Sequence, residues 1–284
     1  MASWEGMARP LQRPDLAVVL SFAVFAAAVL WMVLEISGKS GAGVPDLAAP
    51  AAAAEPAPAP APQVPAPAAA APTGRKTPLV PLPRHGTPTL EVKPGQQVAL
   101  SAKPGGDPVV TLGDSTEFGS PTVLTVLARR GNWVGVPTEK LDNGDLGWLK
   151  LKAGDDAYGV DSVDEEIVVD VSSMTAEFRR DGEVKRSWTV SVGAPESPTP
   201  TGHFSVTDTL DNTFAASYGC CVLPITATQP NVPAGWTGGN RMAIHGTTSP
   251  LGLANSNGCV RNGESDMRFL MAQAPLGTPV TIRN

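Results

Sequence analysis

Hydrophobic positions along the chain fall into three regimes. Residues 16–34, LAVVLSFAVFAAAVLWMVL, are nineteen consecutive uncharged, mostly apolar positions. From about residue 90 the apolar runs become short: VVTLGD (109–114), TVLTVLARRGNWVGV (122–136) and LGWLKL (146–151). PGGD, RRGN and LDNGD separate the runs as turn signals. Apolar and polar positions alternate over 122–127 and around Trp133, which predicts strands of a small all-β unit. Trp133 and Trp148 read as its core. A second β region opens at Glu165. EIVVDVSSMTAEFRRDGEVKRSWTVSVG reads as strand, turn, strand, with Arg180-Asp181-Gly182 as the hairpin turn. SPTPTGHFSV (197–206), RMAIH (241–245) and the closing GTPVTIRN add further strands. Met267, Leu270, Met271 and Ala274 recur at helical spacing, predicting a short helix over 263–274 with Asn262 as its cap.

The long apolar run spans about 28 Å as a helix, close to the roughly 30 Å of bilayer hydrocarbon. A secretory signal has a shorter apolar core, of about 7–15 residues. The run is therefore read as an uncleaved anchor over 16–36; a removed signal and a buried helix are the alternatives. Arg9 and Arg13 flank one side and Glu35 is the first charge on the other, a positive-inside bias that puts 1–15 in the cytoplasm and the rest outside it. No Cys lies near the run, which argues against a lipoprotein anchor. Residues 37–88 are Ala/Pro-rich. Repeated Pro removes backbone donors and favours extended chain, so this reads as a tether reaching on the order of 140 Å. The remaining boundaries are 89–160 for the small all-β unit and 163–284 for the C-terminal domain.

Composition narrows the function classes. The chain has 284 residues, 29 Gly, 29 Pro and a net charge of −6. No clustered basic excess points to nucleic acid. Only three His and three Cys are present. One of each falls in IHGTTSPLGLANSNGCVRN (244–262), where Cys259 follows His245 by fourteen positions. A thiolate is the reactive form of Cys, and a neighbouring imidazole or a helix N-terminus favours it. Cys259 precedes the expected helix, His245 ends an expected strand, and Gly258 permits a tight turn whose N–H groups can meet an oxyanion. By spacing alone a nucleophile–base pair stands beside other readings. A zinc site would need His203, His85, Cys220 or Cys221 as further ligands, and no CxxC spacing exists. A disulfide from Cys259 to Cys220 or Cys221, or an inert buried thiol, is the other alternative.

The combined motifs resemble the L,D-transpeptidase catalytic domain family, whose signature is H-G-[ST/N], a spacer, then S-x-G-C-[apolar]-R. Here these are His245, Gly246 and Thr247, then Ser256, Gly258, Cys259, Val260 and Arg261. The hairpin after residue 165, SPTPTGHFSV and PLGTPVTI resemble the family's opening hairpin, its P-T-P-x-G-x-F segment and its closing strand. GNWVGV with NGDLGWL is similar to SH3-like bacterial modules. The resemblance implies a mainly β fold: an L,D-transpeptidase β-sandwich with a short helix after the Cys, preceded by an SH3-like all-β domain and a transmembrane helix. It implies a nucleophilic Cys259, His245 as general base and acid, and the Gly246 backbone carbonyl orienting the ring. N–H groups of Gly258 and Cys259 would form the oxyanion hole. Ser256, Asn257, Arg261 and Trp236 would shape the loop or the substrate cleft, with Gly239 and Asn240 near them. Many members have His where this chain has Asn257. No metal or cofactor is implied.

The implied activity is a Cys thioester with a peptidoglycan tetrapeptide stem, resolved by an amine to cross-link the wall. Hydrolysis of the thioester, attachment of another amine to the wall, and a non-catalytic wall-binding role are the competing readings. His203 reads as exposed or structural. Cys220 and Cys221 are read as an adjacent-residue disulfide, as two ordinary thiols or as a link to another chain.

Overall fold

The computed structural model describes residues 78–211 and 215–284. The expected anchor and most of the expected tether lie outside the described residues. Among the described residues no helix is long and apolar enough to cross a membrane.

Eight strands build a small all-β unit: β1 (Thr87–Val92), β2 (Gln97–Ser101), β3 (Pro108–Gly113), β4 (Val123–Thr125), β5 (Ala128–Arg130), β6 (Trp133–Val136), β7 (Gly147–Lys150) and β8 (Tyr158–Val163). They form two sheets, in the orders β4-β1-β8 and β3-β2-β7-β6-β5. Alternation places Leu90, Leu100, Val134, Val136 and Leu151 in the core between them. Trp148 is buried, with the Arg130 guanidinium 5.1 Å from its ring. Trp133 is only half-buried, because it opens β6 at the hairpin end and meets Lys150 there at 6.0 Å.

The second β region holds β9 (Glu165–Asp170), β10 (Thr175–Arg180), β11 (Glu183–Thr189), β12 (Val192–Gly193), β13 (Gly202–Ser205), β14 (Leu210–Asp211), β15 (Cys221–Thr228), β16 (Arg241–Thr247), β17 (Ala254–Ser256), β18 (Val260–Gly263) and β19 (Pro279–Arg283). A 3-10 turn, Ala216–Tyr218, precedes β15. The helix α1 (Glu264–Gln273) is the only α-helix among the described residues. The β10–β11 hairpin turns at Asp181 and Gly182, both at positive φ (56° and 76°), as a two-residue connection with the strands' own twist requires. The larger sheets run β11-β10-β9-β19-β13 and β14-β15-β16-β18, with β19 parallel to β9 and β18 parallel to β16. Phe178, Phe204, Leu223, Ile244, Met267 and Leu270 share the core of this region.

Three expectations change. The helix does not begin directly after Cys259: β18 intervenes and α1 starts at Glu264. Asn262 is not its cap. It lies fully buried in β18, where its Oδ1 accepts a 2.6 Å hydrogen bond from Trp188 Nε1; Gly263 takes the cap position without a side-chain bond. A buried amide and indole satisfy each other better than either would a helix end in water. Third, β15 was not anticipated, because Pro224 interrupts its apolar run. The pairing of β15 with β16 shifts register between Pro224 and Thr228, so the missing N–H falls at an irregularity.

The small unit seats on the second β region through buried and half-buried polar contacts. Thr125 N–H donates to Ser205 Oγ at 2.6 Å, and Thr125 Oγ1 donates to the Gly277 carbonyl at 2.8 Å. Asn143 Nδ2 donates to the Thr228 carbonyl (2.6 Å), and Thr228 N–H donates back to Asn143 Oδ1 (2.9 Å).

The Trp188–Asn262 bond gives a stability test. Asn262→Leu leaves a buried indole N–H unpaired and is expected to cost about 1–3 kcal/mol. Adding Trp188→Phe removes the orphaned donor and is expected to recover part of that loss. Urea unfolding of the two single variants and the double variant checks this; purely additive losses would contradict it.

Candidate active site

β16 carries His245 and Gly246 between β15 and β18. His245 stands opposite Val222 on one side and Arg261 on the other. The ring is buried, and Nδ1 lies 2.8 Å from the carbonyl of Gly246. A carbonyl only accepts, so Nδ1 carries the proton and Nε2 is left as the basic nitrogen. Tyr218 covers the imidazole, with ring centroids 4.8 Å apart and planes tilted by 54°. This stacking depends on Gly219. Its φ is +60°, and a Cβ there would come within 2.5 Å of the Gly246 carbonyl carbon. Gly246 answers it: a Cβ at that position would sit 3.0 Å from the Cys220 nitrogen. Two glycines let two backbones meet beside the His ring.

Cys220 and Cys221 form a disulfide with each other, which leaves Cys259 as the free thiol. Cys259 lies at the end of a loop held by two side chains from distant segments and by its own Ser256. Thr199 Oγ1 donates to the Gly258 carbonyl (2.6 Å), Gln229 Nε2 to the Asn257 carbonyl (3.1 Å), and Ser256 Oγ to the Cys259 carbonyl (2.6 Å). Gly258 has φ +114°, and a Cβ there would run into Gln229 and Met242. Ser256 Oγ also accepts the Gly258 N–H at 3.1 Å. The expectation that Gly258 supplies an oxyanion donor therefore needs correction: its N–H is engaged within the loop.

A cleft of about 130 Å³ is lined by His245, Ser256, Asn257, Cys259, Arg261 and Trp236, among others. It thus gathers most of the residues singled out from the sequence. Gly239 and Asn240 also line it, whereas His203 lies exposed elsewhere, with Nδ1 3.2 Å from Thr281 Oγ1. An adjoining cleft of about 370 Å³ also reaches Cys259; it shares Tyr218, Trp236 and Arg241 with the first and adds Val222, Pro224, Ala243 and Phe118 to its lining. Arg261 donates to Asn255 Oδ1 at 3.2 Å and places its cation near the thiol.

Burial governs the electrostatics. It lowers the His245 pKa to about 4, with the Arg261 charge pushing the same way and the Gly246 bond opposing. Burial raises the Cys259 pKa, while the Ala243 backbone and Arg261 pull against it. No helix dipole helps the thiol, since β18 separates it from α1. At neutral pH both groups are uncharged, so proton transfer from thiol to imidazole accompanies attack. Among the described residues no cluster of three or more His, Cys, Asp or Glu is placed to hold a metal ion.

Residues 164–282 match the L,D-transpeptidase catalytic domain family. The matching segment holds His245, Cys259 and the loop between them. No curated protein matches the chain. Among solved structures it is similar to an L,D-transpeptidase from Stackebrandtia nassauensis, at 19% identity, over 42% of this chain and 54% of that one (TM-score 0.32). The chain thus spans about half the length of that relative. It is also similar to the catalytic domain of an E. faecium L,D-transpeptidase, at 26% identity over 42% of this chain and 96% of that one (TM-score 0.31). A Mycobacterium tuberculosis L,D-transpeptidase shares 17% identity over 58% of this chain and 91% of that one (TM-score 0.39).

Reading the sequence missed several supports of this L,D-transpeptidase site. Gln229 and Thr199 hold the Cys259 loop from 28 and 59 positions away. Thr199 had a signal, the Pro-Thr-Pro segment; Gln229 had none. Gly219 had no signal either, and Arg241 appeared only as part of the RMAIH strand.

Two outcomes follow from this geometry. Gly219→Ala adds strain at positive φ, about 1–2 kcal/mol, and pushes on the carbonyl that orients His245. A loss of tenfold or more in turnover is expected, since misplacements of about 1 Å cost that much, while circular dichroism stays native. The depressed His245 pKa also links to stability. The unfolded chain binds the proton near pH 6.5, the folded one only near 4, so stability is complete above about 6.5 and falls as pH drops toward 4. Urea midpoints should show this slope in the wild type and a flatter one in His245→Asn.

Proposed function

We propose that the protein is a peptidoglycan L,D-transpeptidase. The observation that carries this reading is the arrangement of His245. Its Nδ1 is held by the Gly246 carbonyl, its ring lines the same cleft as the free Cys259, and both lie within the residues that match the family. Cys259 attacks the carbonyl of the diamino-acid residue in a tetrapeptide stem, and its proton passes to His245 Nε2. The C–N bond to the terminal D-alanine breaks, and the departing amine takes that proton. The C–S thioester remains. The side-chain amine of a second stem then attacks, gives its proton to His245, and restores the thiol as the new amide forms. Because Gly258 N–H is bound to Ser256, the N–H of Cys259 is assigned to the oxyanion. Asn257, exposed at the cleft edge, and Arg261 are assigned to the stem's polar groups and carboxylates.

The same reading places the catalytic domain outside the cytoplasm. Residues 16–36 serve as membrane anchor and the Ala/Pro-rich 37–88 as tether; their composition supports this. The partners are stem peptides of the wall. The 89–160 unit is read as an SH3-like module on the strength of its strand pattern.

Incubation of the protein with tetrapeptide stems is expected to give a thioester adduct on Cys259 and cross-linked dimers by mass spectrometry. Cys259→Ala should abolish both, and His245→Ala should slow adduct formation by a factor of about 10²–10⁴. Tripeptide without dimer would assign hydrolysis instead. Dimer formation by Cys259→Ala would sink the reading.

A further inference from the structure

Cys220 and Cys221, adjacent in the chain, are joined to each other. A disulfide stabilises a fold mainly by closing a loop of unfolded chain, and the effect grows with the loop. A link between neighbours closes the shortest loop there is, so global stability is a weak reason for it. Its direct effect is local. It closes a ring over a single peptide bond and restricts the backbone of both residues.

Those two residues lie where a turn meets the strands of the base. Cys221 opens β15, and Val222 beside it stands opposite His245. On the turn side, a Cβ added to Gly246 would lie 3.0 Å from the Cys220 nitrogen and 3.4 Å from the Gly219 Cα. Gly246 is the residue whose carbonyl faces His245 Nδ1. The disulfide therefore fixes the path of the chain from the turn packed on Gly246 into the strand paired with His245.

The fold also accommodates the reduced form. Cys221 is buried in the core of the second β region, a setting that suits a free thiol as well as a disulfide sulfur. Cys220 is half-buried, and its Sγ lies 3.9 Å from the Glu264 carbonyl. A disulfide sulfur has no proton to give, whereas a Cys220 thiol would find an acceptor there. Cys259 is already a thiol, so a reductant leaves the nucleophile in its working state.

Resting on the transpeptidase reading, we propose that the Cys220–Cys221 disulfide is a positioning element of the catalytic base, and that its reduction by a dithiol lowers turnover. One thiolate of the dithiol attacks Cys220 Sγ, the less buried end. The Cys220–Cys221 bond breaks, and Cys221 leaves and takes a proton. The second thiolate attacks the mixed disulfide, and Cys220 leaves as the other thiol. The dithiol ends as a cyclic disulfide, having supplied two electrons and two protons. With the ring open, the turn no longer fixes the Gly246 carbonyl, and the imidazole loses its single orientation.

The test uses the full chain with and without dithiothreitol. Alkylation under denaturing conditions counts the free thiols: one of the three Cys when oxidised, all three when reduced. Thioester formation on Cys259 is timed by intact mass at saturating tetrapeptide stem. Reduction is expected to slow it about tenfold, below the roughly hundredfold that a 1 Å misplacement can cost. Cys220→Ser with Cys221→Ala should be slow to the same degree and indifferent to dithiothreitol. The signature specific to positioning is the His245 tautomer, read from long-range ¹H–¹⁵N spectra. The chain has three His, and the signal lost in His245→Asn assigns the ring. The oxidised chain should show the proton on Nδ1, and the reduced chain a mixture of tautomers, with circular dichroism unchanged. A disulfide that dithiothreitol cannot open in the folded chain overturns the proposal. So does an unchanged rate after verified reduction, a slower rate with an unaltered His245 signal, or a general loss of structure. An oxidised chain that forms no thioester, while its His245 signal still responds to reduction, overturns the transpeptidase reading and leaves the positioning role standing.

Discussion

A 2.8 Å bond between His245 Nδ1 and the carbonyl of its own neighbour, Gly246, is what the rest of the site depends on. A side chain reaches the carbonyl one residue on only when the backbone there is held against turning. Here it is held from three sides. β15 and β18 flank the strand, and the turn at Gly219 closes against Gly246 at a distance that admits no side chain. The Cys220–Cys221 disulfide follows that turn directly and begins β15. Tyr218, one residue before it, covers the ring. The base is therefore positioned by backbone contacts, and the residues that matter most to it are glycines.

The nucleophile is positioned by a different device. Its loop is pinned by three side-chain hydroxyl or amide donors to consecutive carbonyls, those of Asn257, Gly258 and Cys259. These bonds are buried or half-buried, where each is stronger than in water and where leaving one unmade is costly. Burial suppresses charge on both His245 and Cys259. A resting ion pair is thus avoided. The imidazole stays a base until the thiol attacks, which suits a ring that must first accept a proton and then return it to a leaving amine.

Polar contacts join the two β units. Thr125, Ser205 and Asn143 are directional partners, so they set orientation as well as adhesion. Arg241 extends that logic to the cleft, because its carboxylate partners come from the small unit while its strand carries His245.

Much of this was written locally. The alternation of 122–127, the Asp181-Gly182 turn and the helical spacing of Met267, Leu270 and Ala274 are short-range signals, and each matches an element seen. His245, Gly246, Ser256 and Cys259 were legible because their order and spacing make a motif. What was not legible involves partners far apart in the chain. Asn262 looked like a cap because only its successors were visible; Trp188, 74 residues earlier, decided otherwise. β15 was hidden by Pro224, whose cost vanishes only at a register shift that a second strand creates. Gly258 is the exception: it looked like an oxyanion donor, and its N–H is bound by Ser256 Oγ only two residues earlier, a contact set by the loop's conformation. The sequence by itself determined which residues carry the chemistry and the strands on which most of them ride. Only the tertiary structure decided their protonation and their hydrogen-bond partners, because burial and long-range contact have no signature in local order.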